Sequence, residues 1–121
     1  MDISLEAKAL HSIQSYNTLS VTINDITYDK SLIVGADLII PNIAINFVNE
    51  LSIENIEPIL TSNPEVIIVG HNNLNQQIPT NTAVHLANLR IGIECMSIGA
   101  ACRTFNVLLS ESRKVFLFII L

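Results

Sequence analysis

The chain has 121 residues, half of them hydrophobic and only 14% charged, with eleven acidic against six basic side chains and a net charge of −5. That length fits one domain of about 100–150 residues, and a mean hydropathy of +0.48 excludes an intrinsically disordered chain. No basic excess is available to neutralise phosphates, so no nucleic-acid partner is expected.

The opening MDISLEAKAL carries Asp2 and Glu6 and no apolar run. It therefore has the form of neither a secretory signal nor an Arg-rich transit peptide. Residues 1–12 read as an N-terminal arm and 13–121 as a single α/β domain. Val21, Ile23, Ile26 and Tyr28 alternate with a slip at Asp25, and apolar residues resume from Ser31 to Ile40 after Asp29-Lys30. This pattern predicts a β-hairpin turning at Asp29-Lys30. The Asn-rich INFVNE stretch that follows is irregular or a short strand. Ser52 is a candidate N-cap for a helix with Ile53, Ile56, Ile59 and Leu60 on one stripe. Pro58 shortens or kinks that helix, which ends near Ser62-Asn63-Pro64.

Strand and helix then alternate: EVIIVG at 65–70 as a strand, Pro79 to Leu89 as a helix opened by Pro79, and IGIECM at 91–96 as a strand. Gly99 to Ser110 follows as a helix and Val115 to Leu121 as a last strand. The alternation predicts a sheet covered on both faces, with 66–70 and 91–96 parallel. Val115 to Leu121 is apolar at every position, which predicts a central or fully covered strand. The same run is the longest apolar stretch, and a membrane span needs about twenty such residues, so no transmembrane segment is expected.

On the helix 99–110, Ala101, Phe105 and Leu108 form an apolar stripe with Cys102 and Leu109, while Arg103, Asn106 and Ser110 share another face and Thr104 lies at the border. Asn and Thr are indifferent helix formers, so this cluster either ties down a nearby loop or meets a partner. Cys102 lies on the apolar stripe and Cys95 inside a strand. Both are expected to be reduced, buried and slow to react, in a cytoplasmic setting. Glu111 and Arg113 read as an exposed ion pair holding the turn into the last strand.

The run GAACRTFNVLLSESRKV, preceded by GIECM and a strand ending in Gly70, resembles the Mth-domain family of small α/β proteins, which includes a mitochondrial complex I assembly factor and an adipogenesis-associated protein. The resemblance implies a three-layer fold whose mixed central sheet has one strand antiparallel to the rest, and it implies no catalytic mechanism. The matching positions are Gly70, Gly92, Glu94, Ala101, Cys102, Arg103, Thr104, Phe105, Asn106, Glu111 and Arg113. Two departures stand out: the chain has no Trp after its first hairpin, and Ile98 stands where a small polar cap is common.

Gly70-His71-Asn72-Asn73 follows a strand whose carboxyl end is the usual ligand side of such sheets. No GxGxxG, GxxxxGK[ST] or GxSxG occurs. His71 has neither His11 nor His85 nearby in sequence and no CxxC or HxxxH beside it. No catalytic residue, metal ligand or cofactor is therefore expected. The functional expectation is a non-enzymatic interaction or assembly protein that binds an unknown protein partner through Gly70, His71, Arg103, Thr104, Asn106, Glu111 and Arg113. The alternative is a small-molecule-binding protein or cryptic enzyme with a pocket near Gly70 and Arg103, where the arginine fork holds an anion. The sequence leaves the oligomeric state open.

Overall fold

The computed structural model describes residues 11–73 and 76–121. Residues 1–10 of the expected arm lie outside that range. Eight strands and three α-helices follow in chain order: β1 Ser15–Tyr16, β2 Val21–Ile23, β3 Ile26–Tyr28, β4 Leu32–Val34, β5 Ile39–Ile40, α1 Ile53–Leu60, β6 Val66–His71, α2 Thr80–Asn88, β7 Gly92–Ser97, α3 Ile98–Ser110 and β8 Val115–Ile119. Strands β1, β2 and β3 form a small antiparallel sheet, and the other five run in the order β5-β4-β8-β6-β7.

In the larger sheet β6 is parallel to both β7 and β8, and β4 is antiparallel to its neighbours β5 and β8. Hence β4 alone runs against the other four strands, as the resemblance implies. Alternate residues of β8 enter different cores. Val115, Leu117 and Ile119 face α3 and the small sheet, whereas Phe116, Phe118 and Ile120 face the α1 and α2 side. Every residue of β8 is buried, which is why its sequence shows no polar alternation.

Two hairpins replace the single one expected across Asp29-Lys30. The first turns at Asn24 (φ 49°) and Asp25 (φ 66°), pairing Ile23 with Ile26. Two successive left-handed residues are the signature of a two-residue I′ turn, which matches strand twist, so the slip at Asp25 marks the turn itself. The second hairpin joins β4 and β5 and is closed by the Gly35 N–H donating to the Leu38 carbonyl at 2.7 Å. The intervening Asp29-Lys30 instead carries the chain from one sheet to the other. The INFVNE stretch forms a 3₁₀ turn at Val48–Glu50, with Glu50 Oε1 accepting from the Asn46 and Phe47 N–H groups.

Helix α1 begins at the expected cap: Ser52 Oγ accepts from the Asn55 N–H, and Asn55 Oδ1 accepts from the Ser52 N–H at 2.8 Å. Pro58 is the sixth residue of this helix, which ends two residues later at Leu60. Pro79 is the N-cap of α2, one position before the first helical residue. That helix covers less than its sequence suggests, since Leu86 is buried but Val84 and Leu89 are exposed. Ser97, and not position 98, caps α3: its Oγ accepts from the Ala100 N–H, which frees Ile98 to be buried. The helix closes in a Schellman motif, with Arg113 N–H donating to the Leu108 carbonyl and Ser112 N–H to the Leu109 carbonyl. Ser112 supplies the left-handed residue at φ 61°.

A large aromatic side chain in the middle of β8 should therefore be expensive to remove. Phe118→Ala is expected to cost about 3–5 kcal/mol in denaturant unfolding, and removal of residues 118–121 should abolish soluble folding. Cooperative melting of that truncation would place the strand at the periphery.

Candidate functional site

The polar face of α3 is turned toward the chain's own N-terminal segment. Asn106 makes two hydrogen bonds with one residue: its Oδ1 accepts from the Ile13 N–H at 2.7 Å, and its Nδ2 donates to the Ile13 carbonyl at 3.0 Å. The side-chain amide thus acts as a neighbouring strand would, satisfying both backbone groups of a residue that enters the core. Between the two readings of this face, Asn106 ties down a nearby segment. Thr104, half-buried, donates to the Met96 sulfur at 3.5 Å and bridges α3 to β7. Ser110 Oγ returns to the Val107 carbonyl of its own helix.

Arg103 differs from these. It is exposed, and one terminal guanidinium nitrogen donates to the Tyr16 hydroxyl at 2.7 Å. Both lie over Gly99, where an added Cβ would come within 3.0 Å of the Tyr16 ring and 3.3 Å of the Arg103 guanidinium. Glycine at the first turn of α3 therefore lets the ring and the guanidinium settle on the helix backbone. The loop after β1 is held as well, because Asn17 Oδ1 accepts from the Leu19 and Ser20 N–H groups and Asn72 Nδ2 donates to the Thr18 carbonyl at 2.8 Å. The result is a positioned Tyr–Arg pair beyond the carboxyl ends of β6 and β7. Sequence reasoning misses Tyr16 and Asn72, since nothing in the spacing of either residue points 87 positions ahead or 54 back.

Gly70 is not part of this surface. It is buried, and a Cβ there would lie 2.7 Å from Ala101 Cβ and 3.1 Å from Ile119 Cδ1, so the glycine permits close approach of α3 to the sheet. His71 points to the opposite face of β6, half-buried, with its Nδ1 accepting from the Asn73 N–H at 3.1 Å. Glu111 is the C-cap residue of α3 and is exposed. Arg113 pairs not with Glu111 but with Glu65, its Nε donating to Oε1 at 3.1 Å, and the same oxygen accepts from the Lys114 N–H at 2.9 Å. These contacts, the Lys114 backbone bond first, hold the Glu65 carboxyl below its ordinary 4.5. Whatever stability they lend is present above that value and is lost as pH falls through the depressed one.

The described surface carries clefts of about 420, 370 and 430 Å³, and none of these three is lined by Gly70, His71 or Arg103. Among the described residues no three His, Cys, Asp or Glu side chains converge as metal ligands, and no helix is long and apolar enough to cross a membrane.

The two thiols part company. Cys102 is fully buried, and desolvation pushes it up to about 11 against the opposing charge of Arg103. Cys95, expected inside a covered strand, is exposed on β7, which has a strand partner on one side only. Its thiol is also raised, by partial desolvation and then by the Glu94 charge.

Asn106→Ala should cost about 1–3 kcal/mol in denaturant unfolding, because two backbone groups of Ile13 lose their partners. An unchanged midpoint would mean that water replaces the amide without loss. Brief iodoacetamide treatment of the native protein, read by mass spectrometry, should label Cys95 ahead of Cys102, whose labelling should wait for unfolding.

Known proteins share this architecture. The solved structure of Xanthomonas campestris XCC1710 superposes with a TM-score of 0.81 at 27% identity, covering 91% of this chain and 83% of that one. A Bordetella pertussis protein described as a Mth938-like domain shares the fold with a TM-score of 0.77 at 17% identity, covering 93% and 86%. A protein named 13 kDa major membrane protein, from Francisella tularensis subsp. holarctica (strain LVS), is 27% identical over 89 residues, 73% of this chain and 72% of its own. The family described as Protein of unknown function (DUF498/DUF598) matches residues 13–120, and this chain belongs to it, with a Mth938-like fold.

Proposed function

We propose that the chain is a non-enzymatic interaction or assembly protein that docks a partner protein on the Tyr16–Arg103 surface. The observation that carries this is the hydrogen bond between the two side chains on an exposed face. An arginine held by a tyrosine loses little further freedom on binding, and its remaining N–H donors suit a carboxylate on the partner. Tyrosine and arginine are also the residue types that dominate interface energetics. Val107, four positions along α3 from Arg103, and Leu19 in the loop after Tyr16 are large exposed apolar side chains at 55% and 75% exposure. They supply the apolar contact area such an interface uses. A cytoplasmic location belongs to the same proposal, supported by the two free thiols; subcellular fractionation tests it.

Arg103→Ala should leave stability within about 0.5 kcal/mol of wild type, because its bond to Tyr16 is exposed. The variant should weaken a purified partner, first identified by capture with the wild-type protein, by about 2 kcal/mol or more. Equal affinity of the wild type and of both Arg103→Ala and Tyr16→Phe would remove this surface from the interaction. Unfolding of Arg103→Ala would make the arginine a structural anchor.

A further inference from the structure

At the other end of the sheet, beside the amino end of β8, a cleft of about 420 Å³ opens between the β4–β5 turn and the end of α3. That volume lies within the range of small-molecule sites, about 300–1,000 Å³. Its floor is made by Leu109, Val115 and Phe116. Leu109 belongs to the core on the α3 side and Phe116 to the core on the α1 and α2 side, so the cleft reaches both. These two keep 7% and 6% exposure, where most core residues keep none. One wall depends on Gly35: a Cβ there would come within 2.6 Å of the Phe116 ring, so glycine lets the turn close against the edge of that ring.

The rim carries charges of both signs. Asp37 stands on the β4–β5 turn, and Arg113 and Lys114 on the segment entering β8. Arg113 is already committed to Glu65. Among the described residues neither Asp37 nor the Lys114 ammonium lies within ion-pair distance of a partner, and they do not pair with each other; the Lys114 charge acts from farther off on the Glu65 carboxylate. An apolar floor under a separated anion and cation is poorly matched to a plain fatty acid, which Asp37 would repel, or to a plain amine, which Lys114 would repel. It suits a molecule with an apolar body bearing an ammonium and a carboxylate.

We propose that this cleft binds a free α-amino acid with an apolar side chain, its ammonium toward Asp37, its carboxylate toward Lys114 and its side chain on Leu109, Val115 and Phe116. The site shares no residue with the Tyr16–Arg103 surface and stands or falls without it. An aromatic side chain would gain an edge-to-face contact with Phe116.

The test is titration of the isotope-labelled full chain, followed by amide NMR, with L-phenylalanine, 3-phenylpropionate and 2-phenylethylamine. The last two each keep the ring and one of the charges. Saturable shifts at residues 36–37 and 109–116 are expected with L-phenylalanine, at least about tenfold tighter than with either half-molecule. Asp37→Asn should erase the preference over 3-phenylpropionate, and Lys114→Met the preference over 2-phenylethylamine. Both positions are exposed, so both variants should fold. No localised shifts with any probe, shifts centred on Tyr16 and Arg103, or equal binding of a half-molecule would overturn the proposal.

Discussion

Both cores share one wall, the larger sheet, and β8 is its middle strand. The five residues of β8 are buried on both faces, so each neighbouring layer is positioned by what this strand presents to it. On one face Val115, Leu117 and Ile119 receive α3 and the small sheet, and on the other Phe116 and Phe118 receive α1 and α2. Fully burying each such side chain is worth about 1.5–3 kcal/mol. Glycines then set how near the neighbours come: Gly70 lets Ala101 of α3 approach β6, and Gly35 lets the β4–β5 turn meet Phe116. Neither glycine lies at φ above zero, so what each supplies is space.

How far the fold could be read from the sequence follows from the same packing. The last strand was legible because a strand covered on both faces has no reason to alternate, and the parallel pairing of β6 with β7 followed from the helix between them. The first half was misread at Asp29-Lys30 because Asn24-Asp25 breaks the alternation by only one position, and a two-residue turn leaves no longer trace. Cys95 was misplaced because strand character does not tell centre from edge. The open side of β7 is a property of strand order, which is set by residues far away in the chain.

The candidate site was legible as a cluster but not as separate roles. Arg103, Thr104 and Asn106 are near neighbours in sequence on a mostly apolar helix, which is enough to single them out. Their partners were hidden: Ile13 lies 93 residues before Asn106, and Tyr16 lies 87 before Arg103. With those partners in place, Asn106 is a backbone clamp, Thr104 a bridge to β7, and Arg103 the member left facing outward. The Glu111–Arg113 pair failed for a similar reason, since the helix end turns Arg113 toward Glu65 at the start of β6.

A division of labour along α3 is thus the centre of the account: the helix fastens the N-terminal sheet through Asn106, and so holds Tyr16 where Arg103 can meet it. Amide hydrogen exchange of the native protein tests this most directly at Ile13, whose N–H is satisfied by a side chain and not by a strand. If the clamp holds, Ile13 and the amides of β2 should exchange only through an opening nearly as costly as that of β8. Exchange of Ile13 at the rate of an unprotected peptide, while β8 stays protected, would show that the small sheet is only loosely attached and that the Tyr16–Arg103 pair is not a fixed feature of the surface.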